Sequence, residues 1–336
     1  MTDEREPVEI GGTAVAPGTR EDVEIHVERL ASGPWISIPA VVLHGRREGP
    51  SVSISAAVHG DEVNGVEIVR RLLGAVRPEE LTGTLILVPV VNQLGFMAGE
   101  RYLPDRRDLN RSFPGSTRGS LAGRLAHLFM GEIINRCELG IDLHSGSDGR
   151  ANLPQIRADL DDPATREAAL AFGAPVSLHS RTRDGSLREA ATQAGMTMLL
   201  YEGGEDNRYD DYAIEMAYDG ITRVLHWLGM IEASPGSSIR TTVSRASRWV
   251  RAPRGGLLRR EVGLGDLVDK RQVLGHISDL WGRGNLAVRA PVAGVVIGEA
   301  HRPRANQGDA LFHIAEPEGA NGSVDDSGPE GDGETL

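Results

Sequence analysis

The chain has 336 residues, of which 40% are hydrophobic and 25% are charged, an ordinary composition for a soluble globular protein. This length predicts a large domain together with a smaller one, or two comparable ones. The net charge of -12 disfavours nucleic acid as a partner, and the single cysteine, Cys137, excludes an internal disulfide and a cysteine-based zinc cluster. The sequence shows neither an early apolar segment nor an apolar run of about 18 residues, so we predict no membrane partner and a cytoplasmic location.

Strand-like and helix-like segments alternate along the first two thirds of the chain, after a polar start over residues 1–20 that we expect to be flexible. Residues 21–43 predict two antiparallel strands, and residues 94–119 predict a long polar loop. Further strands are predicted at 51–58, 85–91, 140–143, 175–179 and 196–201, and helices at 61–73, 121–134, 164–172, 186–194 and 209–228. This alternation indicates an α/β domain over residues 21–231, with helices on both faces of its sheet.

The last third of the chain has short β-like runs, many glycines and no convincing helical pattern. We assign residues 232–244 to a linker, residues 245–316 to a small all-β module, and residues 317–336 to a disordered acidic tail. Within the module, Leu274-Gly-His-Ile277 is repeated as Leu311-Phe-His-Ile314. Two such halves predict a barrel-sandwich, because a solenoid needs at least about three repeats.

Two segments combine an apolar strand pattern with metal-binding side chains at its end. His59-Gly-Asp-Glu62 follows one apolar run, and His144 follows another. Because α/β sheets bind ligands beyond the carboxyl ends of their strands, we expect these two imidazoles and the carboxylate to meet there. Three protein ligands with a fourth position open to water are typical of catalytic zinc. Asp142 lies on the same strand face as His144 and is expected to orient His144 or a neighbouring side chain without binding the metal itself.

Further motifs make the chain resemble the succinylglutamate desuccinylase/aspartoacylase family, a branch of the zinc carboxypeptidase-like superfamily. The resemblance covers about residues 35–230, with the motifs in the correct order. It rests on Ala56-Ala-Val-His-Gly-Asp-Glu-Val-Asn-Gly65, Val91-Asn-Gln-Leu-Gly95, Arg101-Tyr102, Asp108-Leu-Asn-Arg-Ser-Phe-Pro-Gly115, Asp142-Leu-His-Ser-Gly146 and Tyr201-Glu-Gly-Gly204. The fold that it implies is α/β, with a mixed eight-stranded sheet flanked by helices.

The resemblance implies a hydrolase with one zinc ion per chain, held by His59, Glu62 and His144. Glu202 matches the family's general base, and it follows a strand pattern, so its carboxylate is expected near the metal. Zinc lowers the pKa of bound water toward about 7, and a carboxylate must then carry the proton to the leaving nitrogen. We therefore expect a deacylase that cleaves the amide bond of an N-acyl amino acid or a related small amide that bears a carboxylate.

The same resemblance implies how the substrate is held. Asn110 and Arg111 match the pair that grips a substrate carboxylate, and the planar guanidinium group suits bidentate contact. Arg101 matches the arginine that polarises the scissile carbonyl and stabilises its oxyanion. Arg106 and Arg107 stand nearby in the sequence and remain alternatives for that second role.

Asp108 is expected to brace an arginine of this segment. The C-terminal module resembles a biotinyl/lipoyl-type domain, whose carrier forms modify a lysine at the hairpin between the two halves. Here that hairpin, Ser278-Asp-Leu-Trp-Gly-Arg-Gly-Asn285, contains no lysine, and Lys270 stands elsewhere. A carrier function is therefore not expected, and the module is predicted to be structural or to shape access to the active site.

Two other functions remain open at the level of sequence. One is a zinc carboxypeptidase that acts on short peptides, which an added β module would disfavour by narrowing the cleft. The other is a metal-binding or ligand-binding protein without catalysis, which Glu202 disfavours because binding alone needs no base. The sequence identifies neither the acyl group nor the oligomeric state, and a homo-oligomer is compatible with it.

Overall fold

A computed structural model describes residues 5–233, 235–236 and 239–319. These residues form six α-helices, two short 3-10 helices and eighteen strands. The α-helices are α1 (Asn64–Ala75), α2 (Gln93–Ala98), α3 (Leu121–Glu132), α4 (Pro163–Phe172), α5 (Leu187–Gln193) and α6 (Asp211–Trp227), and the 3-10 helices span Leu109–Arg111 and Ile134–Arg136. In this described part of the chain, no helix is long and apolar enough to cross a membrane.

Ten of the strands lie before residue 232, and the other eight begin at or after Thr242. The first ten are β1 (Val8–Ile10), β2 (Thr13–Val15), β3 (Thr19–Arg29), β4 (Trp35–His44), β5 (Arg47–Ala56), β6 (Thr82–Val88), β7 (Leu139–His144), β8 (Arg150–Ala158), β9 (Val176–His179) and β10 (Thr197–Glu205). The others are β11 (Thr242–Arg251), β12 (Gly256–Arg260), β13 (Leu267–Val268), β14 (Val273–Ser278), β15 (Leu286–Arg289), β16 (Gly294–Ala300), β17 (Arg304–Ala305) and β18 (Ala310–Pro317).

Eight strands of the first group form a mixed sheet in the order β3-β4-β6-β5-β7-β10-β8-β9. The centre of the sheet is parallel, since β5 pairs in parallel with β6 and β7, and β7 with β10. The pairs β3–β4, β4–β6 and β8–β10 are antiparallel. The mixed α/β fold expected from the resemblance is therefore present.

Both faces of this sheet are covered, as alternating residues of β6 show. Leu85 and Leu87 pack into the apolar layer that includes α1, α4 and α6. Ile86 and Val88 point the other way, into the layer that includes α3 and α5. Because successive strand side chains face opposite sides, an unbroken apolar run such as β6 is what a sheet buried on both faces requires.

Side-chain caps fix the start of several helices, among them those near the cavity. Asp162 accepts a hydrogen bond from the Thr165 backbone N–H at the start of α4, and Asp210 accepts one from Ala213 at the start of α6. Ser186 caps α5 in the same way through the Glu189 N–H. Such a cap contributes about 1 kcal/mol to helix stability, because it satisfies a backbone donor that the helix leaves unpaired.

The C-terminal strands extend the sheet and do not stand apart from it. β11 pairs in parallel with β9, and β18, β16 and β13 follow, which makes twelve strands in one sheet. A second sheet, β15-β14-β12-β17, packs on this extension around a shared core. The repeated residues Leu274, Ile277, Leu311 and Ile314 all lie in that core. Both halves of the repeat contribute strands to both sheets, so neither half has a core of its own.

The structure differs from two sequence-based expectations of chain organisation. Residues 1–20 were expected to be flexible, but β1 and β2 form a hairpin in which Ile10 and Val15 are fully buried against the sheet. Gly11 and Gly12 make its turn with positive φ values of 56° and 79°, which glycine adopts at little cost. The expected linker is shorter than 232–244, because β11 already begins at Thr242.

The sequence also left the stretch that forms β8 unassigned, and it treated residues 94–119 as a loop that in fact contains α2 and the first 3-10 helix. β8 carries Pro154 and several polar residues, so its sequence pattern does not indicate a strand. The expected acidic tail lies outside the described residues from position 320 onward.

Candidate active site

Three neighbouring strands end at one edge of the sheet and bring the predicted site residues together. In β5, β7 and β10, Ala56 pairs with Leu143, and His144 pairs with Glu202. The chain leaves β5 after Ala56 and turns through His59, while β7 ends on His144 itself. Because parallel strands present their carboxyl ends at the same edge, residues far apart in sequence meet here.

The turn after β5 is tightly packed, which explains the glycine between the two metal-ligand candidates. A Cβ atom on Gly60 would lie 2.0 Å from the backbone carbon of Gly95 in α2, so a side chain at this position would force the two segments apart. Glu62 is two residues upstream of the first residue of α1. This close packing holds His59 and Glu62 under the carboxyl end of the sheet.

The side chains of His59, Glu62 and His144 converge and are all buried. Glu62 Oε1 lies 2.7 Å from His59 Nδ1, and Glu62 Oε2 lies 2.8 Å from His144 Nδ1. The two Nδ1 atoms are 3.2 Å apart. Two imidazoles and one carboxylate that face a common point make a donor set suited to a catalytic zinc ion.

A second carboxylate fixes the orientation of one imidazole. Asp142 Oδ2 lies 2.7 Å from His144 Nε2, and Ser55 donates a hydrogen bond of 2.7 Å to the other oxygen of Asp142. A proton on Nε2 that is donated to Asp142 leaves the lone pair of Nδ1 directed at the common point, as zinc ligation requires. The contact predicted between Asp142 and His144 is present, and its geometry fits a metal.

The electrostatics of this cluster favour a positive charge between the rings. Burial alone would lower the pKa of His144, but the carboxylates of Asp142 and Glu62 outweigh it and raise that pKa well above its usual value. Burial would raise the pKa of Glu62, but His59 and His144 hold it well below its usual value. A proton or a metal cation placed among these groups is therefore stabilised.

Arg101 lies against this cluster and is braced as predicted. Its Nη1 is 3.2 Å from His59 Nδ1 and donates to Ser147 Oγ at 2.9 Å, while its Nη2 donates to Asp108 Oδ2 at 3.0 Å. The other oxygen of Asp108 is 3.3 Å from His59 Nε2, a buried nitrogen without a well-formed hydrogen bond in the described structure. Asp108 therefore links the arginine to the metal-ligand candidate.

The structure separates Arg101 from the two alternative arginines. Arg101 is buried and lines the cavity, whereas Arg106 and Arg107 are exposed and are not among its described lining residues. The guanidinium of Arg107 lies 3.5 Å from the Asp105 carboxylate instead. A role at the substrate carbonyl is thus compatible with the position of Arg101 and not with the positions of the other two.

Glu202 faces the same cavity from β10, beside His144. Asn152 on β8 donates a hydrogen bond of 2.8 Å from its Nδ2 to Glu202 Oε2, and Arg157 Nη1 lies 4.0 Å from Oε1. Asn152 is itself buried, so the hydrogen bond holds the carboxylate in a defined orientation. Sequence reasoning missed Asn152, because nothing local marks β8 as a strand beside the site.

Asn110 and Arg111, the predicted carboxylate pair, also line the cavity. The amide oxygen of Asn110 accepts a hydrogen bond of 2.8 Å from the Leu187 N–H, so the amide nitrogen is the group that it offers to a substrate. Arg111 is exposed and donates 2.6 Å from its Nη1 to the Asn110 carbonyl oxygen. The two side chains are thus neighbours at the wall of the site, as expected.

Comparison with known proteins identifies the family of this chain. The family model of the succinylglutamate desuccinylase/aspartoacylase catalytic domain matches residues 48–228. The chain belongs to this family. N-alpha-acetyl-L-2,4-diaminobutyric acid deacetylase from Halomonas elongata is 30% identical over 295 residues, which are 84% of this chain and 86% of that protein.

Solved structures of the family extend over nearly the whole chain. The succinylglutamate desuccinylase/aspartoacylase from Rhodobacter sphaeroides is 29% identical and superposes with a TM-score of 0.80, covering 89% of this chain and 96% of that one. The product-bound ectoine utilization protein EutE (DoeB) from Ruegeria pomeroyi is 25% identical with a TM-score of 0.81, covering 93% and 99%. These overlaps confirm the family predicted from the motifs, while the likeness of the C-terminal module to biotinyl/lipoyl domains stays a prediction.

In this family member, the C-terminal strands form part of the cavity wall. Trp249 and Arg251 of β11 and Ala310 of β18 line it together with residues of the catalytic domain. The Trp249 ring stacks on His313 with centroids 4.2 Å apart, and the Arg150 guanidinium lies 5.9 Å from the Trp249 centroid. Trp249, Arg251 and Ala310 belong to none of the family motifs, because they reach the site through pairing between distant strands.

The described residues contain one other group with metal-binding side chains, formed by Asp159, Asp161 and His179. It is far more exposed than the buried cluster, and Asp161 already pairs with Arg245 at 2.6 Å. This exposed group therefore does not compete with the His59, Glu62 and His144 cluster as a catalytic centre.

Proposed function

We propose that this chain is a zinc-dependent amidohydrolase that removes the acyl group from an N-acyl amino acid or a related small amide bearing a carboxylate. The observation that carries the proposal is the convergence of His59, Glu62 and His144, with Glu202 beside them in the same cavity. A zinc ion held by these three ligands would supply an activated water at neutral pH and polarise the scissile carbonyl. One zinc per chain is expected.

Glu202 is the proposed general base and acid. Its carboxylate takes a proton from the attacking water and then delivers this proton to the leaving nitrogen. The C–N bond therefore breaks with release of a neutral amine. Asn152 on β8 donates a hydrogen bond of 2.8 Å to this carboxylate and fixes its orientation, and the Arg157 guanidinium lies 4.0 Å from it. A base that is fixed in orientation loses little entropy on reaching the transition state.

Arg101 is proposed to contact the scissile carbonyl, and Asn110 and Arg111 are proposed to bind the substrate carboxylate. Arg101 donates to the carbonyl oxygen as negative charge develops there, and Asp108 keeps its guanidinium in place. Asn110 and Arg111 hold a substrate carboxylate through hydrogen bonds that exist before and during the reaction. The relatives named above support an N-acyl amino acid as the substrate, since one of them is a deacetylase of this kind.

The C-terminal strands are proposed to limit the size of the substrate. Trp249, Arg251 and Ala310 close one side of the cavity, which weighs against the alternative of a carboxypeptidase acting on peptides. The presence of Glu202 and Arg101 beside the ligand cluster weighs against a purely metal-binding protein, because ligation alone uses neither group.

A hydrolysis screen tests this proposal. Zinc-loaded and metal-depleted protein would be assayed against N-acetyl and N-succinyl amino acids and against dipeptides, with release of the free amine as the readout. We expect zinc-dependent release from at least one N-acyl amino acid and little or none from dipeptides. Faster cleavage of dipeptides would favour a carboxypeptidase, and inactivity on every substrate would favour a binding function.

A further inference from the structure

The strand that orients Glu202 is irregular beside this carboxylate. Gln155 of β8 pairs with Glu202 of β10, and the next recorded pair is Asn152 with Gly204. Three steps along β8 therefore match only two steps along β10, so β8 contains a β-bulge at residues 153 and 154. Such bulges re-aim side chains next to active sites, and this one lies between the partner of Glu202 and the residue that donates to its carboxylate.

The bulge determines which side chain of β8 faces Glu202. Successive side chains of a strand point to opposite faces, so Gly204 shares the face of Glu202, two positions earlier. Asn152 pairs with Gly204 and lies on that face as well, whereas in a regular strand Leu153 would take this place. The hydrogen bond of 2.8 Å from Asn152 Nδ2 to Glu202 Oε2 therefore depends on the bulge.

The side chain of Gln155 joins this bulge to the C-terminal strand β16. Gln155 is fully buried, and its Nε2 donates to the carbonyl oxygen of Leu153 at 3.3 Å and to that of Ile297 at 3.1 Å. Ile297 is itself the extra residue of a second bulge, in the pairing of β16 with β18. The Oε1 atom of Gln155 has no hydrogen-bond partner in the described structure, so burial of this amide is compensated through its N–H groups alone. One buried amide thus connects the bulge beside the base to a bulge in the C-terminal region.

Gly298 of β16 is the second point of contact with the residue that orients the base. It pairs directly with Asn152 across β16 and β8. A Cβ atom at Gly298 would lie 3.2 Å from Asn152 Oδ1 and 3.1 Å from His313 Cβ, closer than side chains normally pack. The φ angle of Gly298 is not among the positive values found for other described glycines, so close packing and not backbone conformation makes glycine suitable here. The amide of Asn152 therefore rests against the backbone of β16.

We propose that Gln155 and Gly298 are positioning residues for Glu202, and that both act through Asn152. This inference rests on the proposed deacylase function, in which Glu202 carries the proton. Neither Gln155 nor Gly298 is among the described lining residues of the cavity, so each affects the base without touching the substrate. The strand β16 thereby takes part in catalysis, because a misplacement of about 1 Å in a reacting group can lower turnover about 10²-fold.

Gly298→Ala tests this connection with one methyl group. The added Cβ should displace the Asn152 amide and weaken its hydrogen bond to Glu202, so kcat of the zinc-loaded enzyme should fall about tenfold. KM should stay within about twofold, because no group that holds the substrate is changed. The loss should be the same on N-acetyl and N-succinyl amino acids, since orientation of the base does not depend on acyl size. Gly263→Ala is the control: a Cβ there meets no atom within 4 Å in the described structure, and kcat should stay unchanged.

A double-mutant cycle separates an effect through Asn152 from a general loosening of the C-terminal strands. In an Asn152→Ala background the hydrogen bond to Glu202 is already absent, so Gly298→Ala should lower kcat no further. Gln155→Met keeps a side chain of similar size but removes both donors. It should lower kcat several-fold in the otherwise unchanged chain and have little effect on kcat in the Asn152→Ala background. Circular dichroism confirms that each variant is folded.

Unchanged kcat in Gly298→Ala, or a loss that persists in the Asn152→Ala background, overturns the proposal and leaves the deacylase function intact. If Gly298→Ala does not fold, the cycle with Gln155→Met decides by the same criterion.

Crystal structures test the positioning role apart from catalysis. In Gly298→Ala, or in Gln155→Met if the first variant does not fold, we expect the Asn152 Nδ2 to Glu202 Oε2 distance to exceed hydrogen-bonding range, whereas it should remain short in wild type. If every substrate is inert with wild type, the deacylase function fails. A contact between Asn152 and Glu202 that is unchanged in the variant would then overturn the positioning role as well, and a lengthened contact would support it.

Discussion

The metal-facing half of the cavity is built differently from the half lined by four arginines, Arg150, Arg157, Arg183 and Arg188. The first comes from residues at the ends of β5, β7 and β10, with His59 and Glu62 three positions apart and His144 next to Glu202 in register. The second draws on β8, the loop after β9, α5 and β11, whose arrangement depends on the pairing of β9 with β11 and of β8 with β16. The first half provides the groups for chemistry, and the second provides charge and shape.

The comparison shows where local sequence carries information. Groups that must act on one atom sit at fixed positions on neighbouring parallel strands, so short motifs reveal them. Groups that select a substrate need only face the same cavity, and a long side chain such as arginine can reach it from several elements. A change in the first half should therefore affect turnover, and a change in the second half should affect which substrate is used.

The largest effect is expected from Glu202→Gln. Loss of the proton carrier should lower kcat by about 10²- to 10⁴-fold while zinc content stays normal, because the ligand cluster is unchanged. Steady-state kinetics and metal analysis on the same preparation check both statements. Glu205→Gln is the control: it lies on the same strand but pairs with Arg208 and His301. Near-normal turnover in Glu202→Gln would remove Glu202 from the role of base.

Two arginines should sharpen the distinction between turnover and binding. Arg101→Ala should lower kcat by about 10²- to 10³-fold, because a contact to the developing oxyanion is strongest in the transition state. Arg111→Ala should instead raise KM with a small effect on kcat, because a carboxylate contact is present in both states. The two kinetic constants, measured on one substrate, separate these cases; the opposite pattern would exchange the two roles.

The packing of the C-terminal strands against the catalytic domain can be tested through the free energy of unfolding. Ile297 of β16 is fully buried in a core shared with Leu153, Val176 and Leu178 of the catalytic domain. Ile297→Ala should lower the free energy of unfolding in urea by about 2–5 kcal/mol. Leu267→Ala, at an exposed position of β13, should change it by less than about 0.5 kcal/mol. Equal small losses in both would mean that the C-terminal strands stabilise the catalytic domain little.

A smaller effect is expected from Asn152→Ala. Its hydrogen bond to Glu202 is charge-assisted, and such a bond is worth about 1.5–3 kcal/mol, so kcat should fall by at most about 10- to 100-fold. KM should change little, because Asn152 orients the base and is not proposed to hold the substrate carboxylate. Asn135→Ala, at an exposed asparagine of the second 3-10 helix that is not among the described lining residues of the cavity, serves as the control. A change confined to KM would indicate substrate contact instead.

Much of the catalytic domain could be predicted from the sequence because its signals are local. The apolar runs of β5, β6 and β7 and the helical spacing in α1, α3 and α6 gave elements close to those observed. The family motifs, in their correct order, then predicted the mixed sheet and the ligand cluster. The sequence did not predict β1 and β2, because each is three residues long and both lie in a stretch interrupted by glycine and proline.

What could not be predicted depends on contacts between distant strands. The pairing of Gly298 with Asn152 brings the C-terminal segment beside the base, and no local pattern encodes a pairing over that separation. The leucines and isoleucines of the repeat Leu-x-His-Ile lie in the core of the C-terminal strands, but the repeat did not predict that β11 would continue the catalytic sheet. The sequence therefore did not predict that Arg150, Arg157, Arg183 and Arg188 line the same cavity.

Metal content tests the central claim most directly. Protein stripped of metal would be titrated with zinc and analysed by mass spectrometry for wild type, His144→Ala and the control His276→Ala, which alters a histidine paired with Glu261 in the C-terminal region. We predict one zinc per chain in wild type and in the control, and loss of most of the zinc in His144→Ala, together with loss of hydrolysis. A full complement of tightly bound zinc in His144→Ala would contradict the assignment of the site.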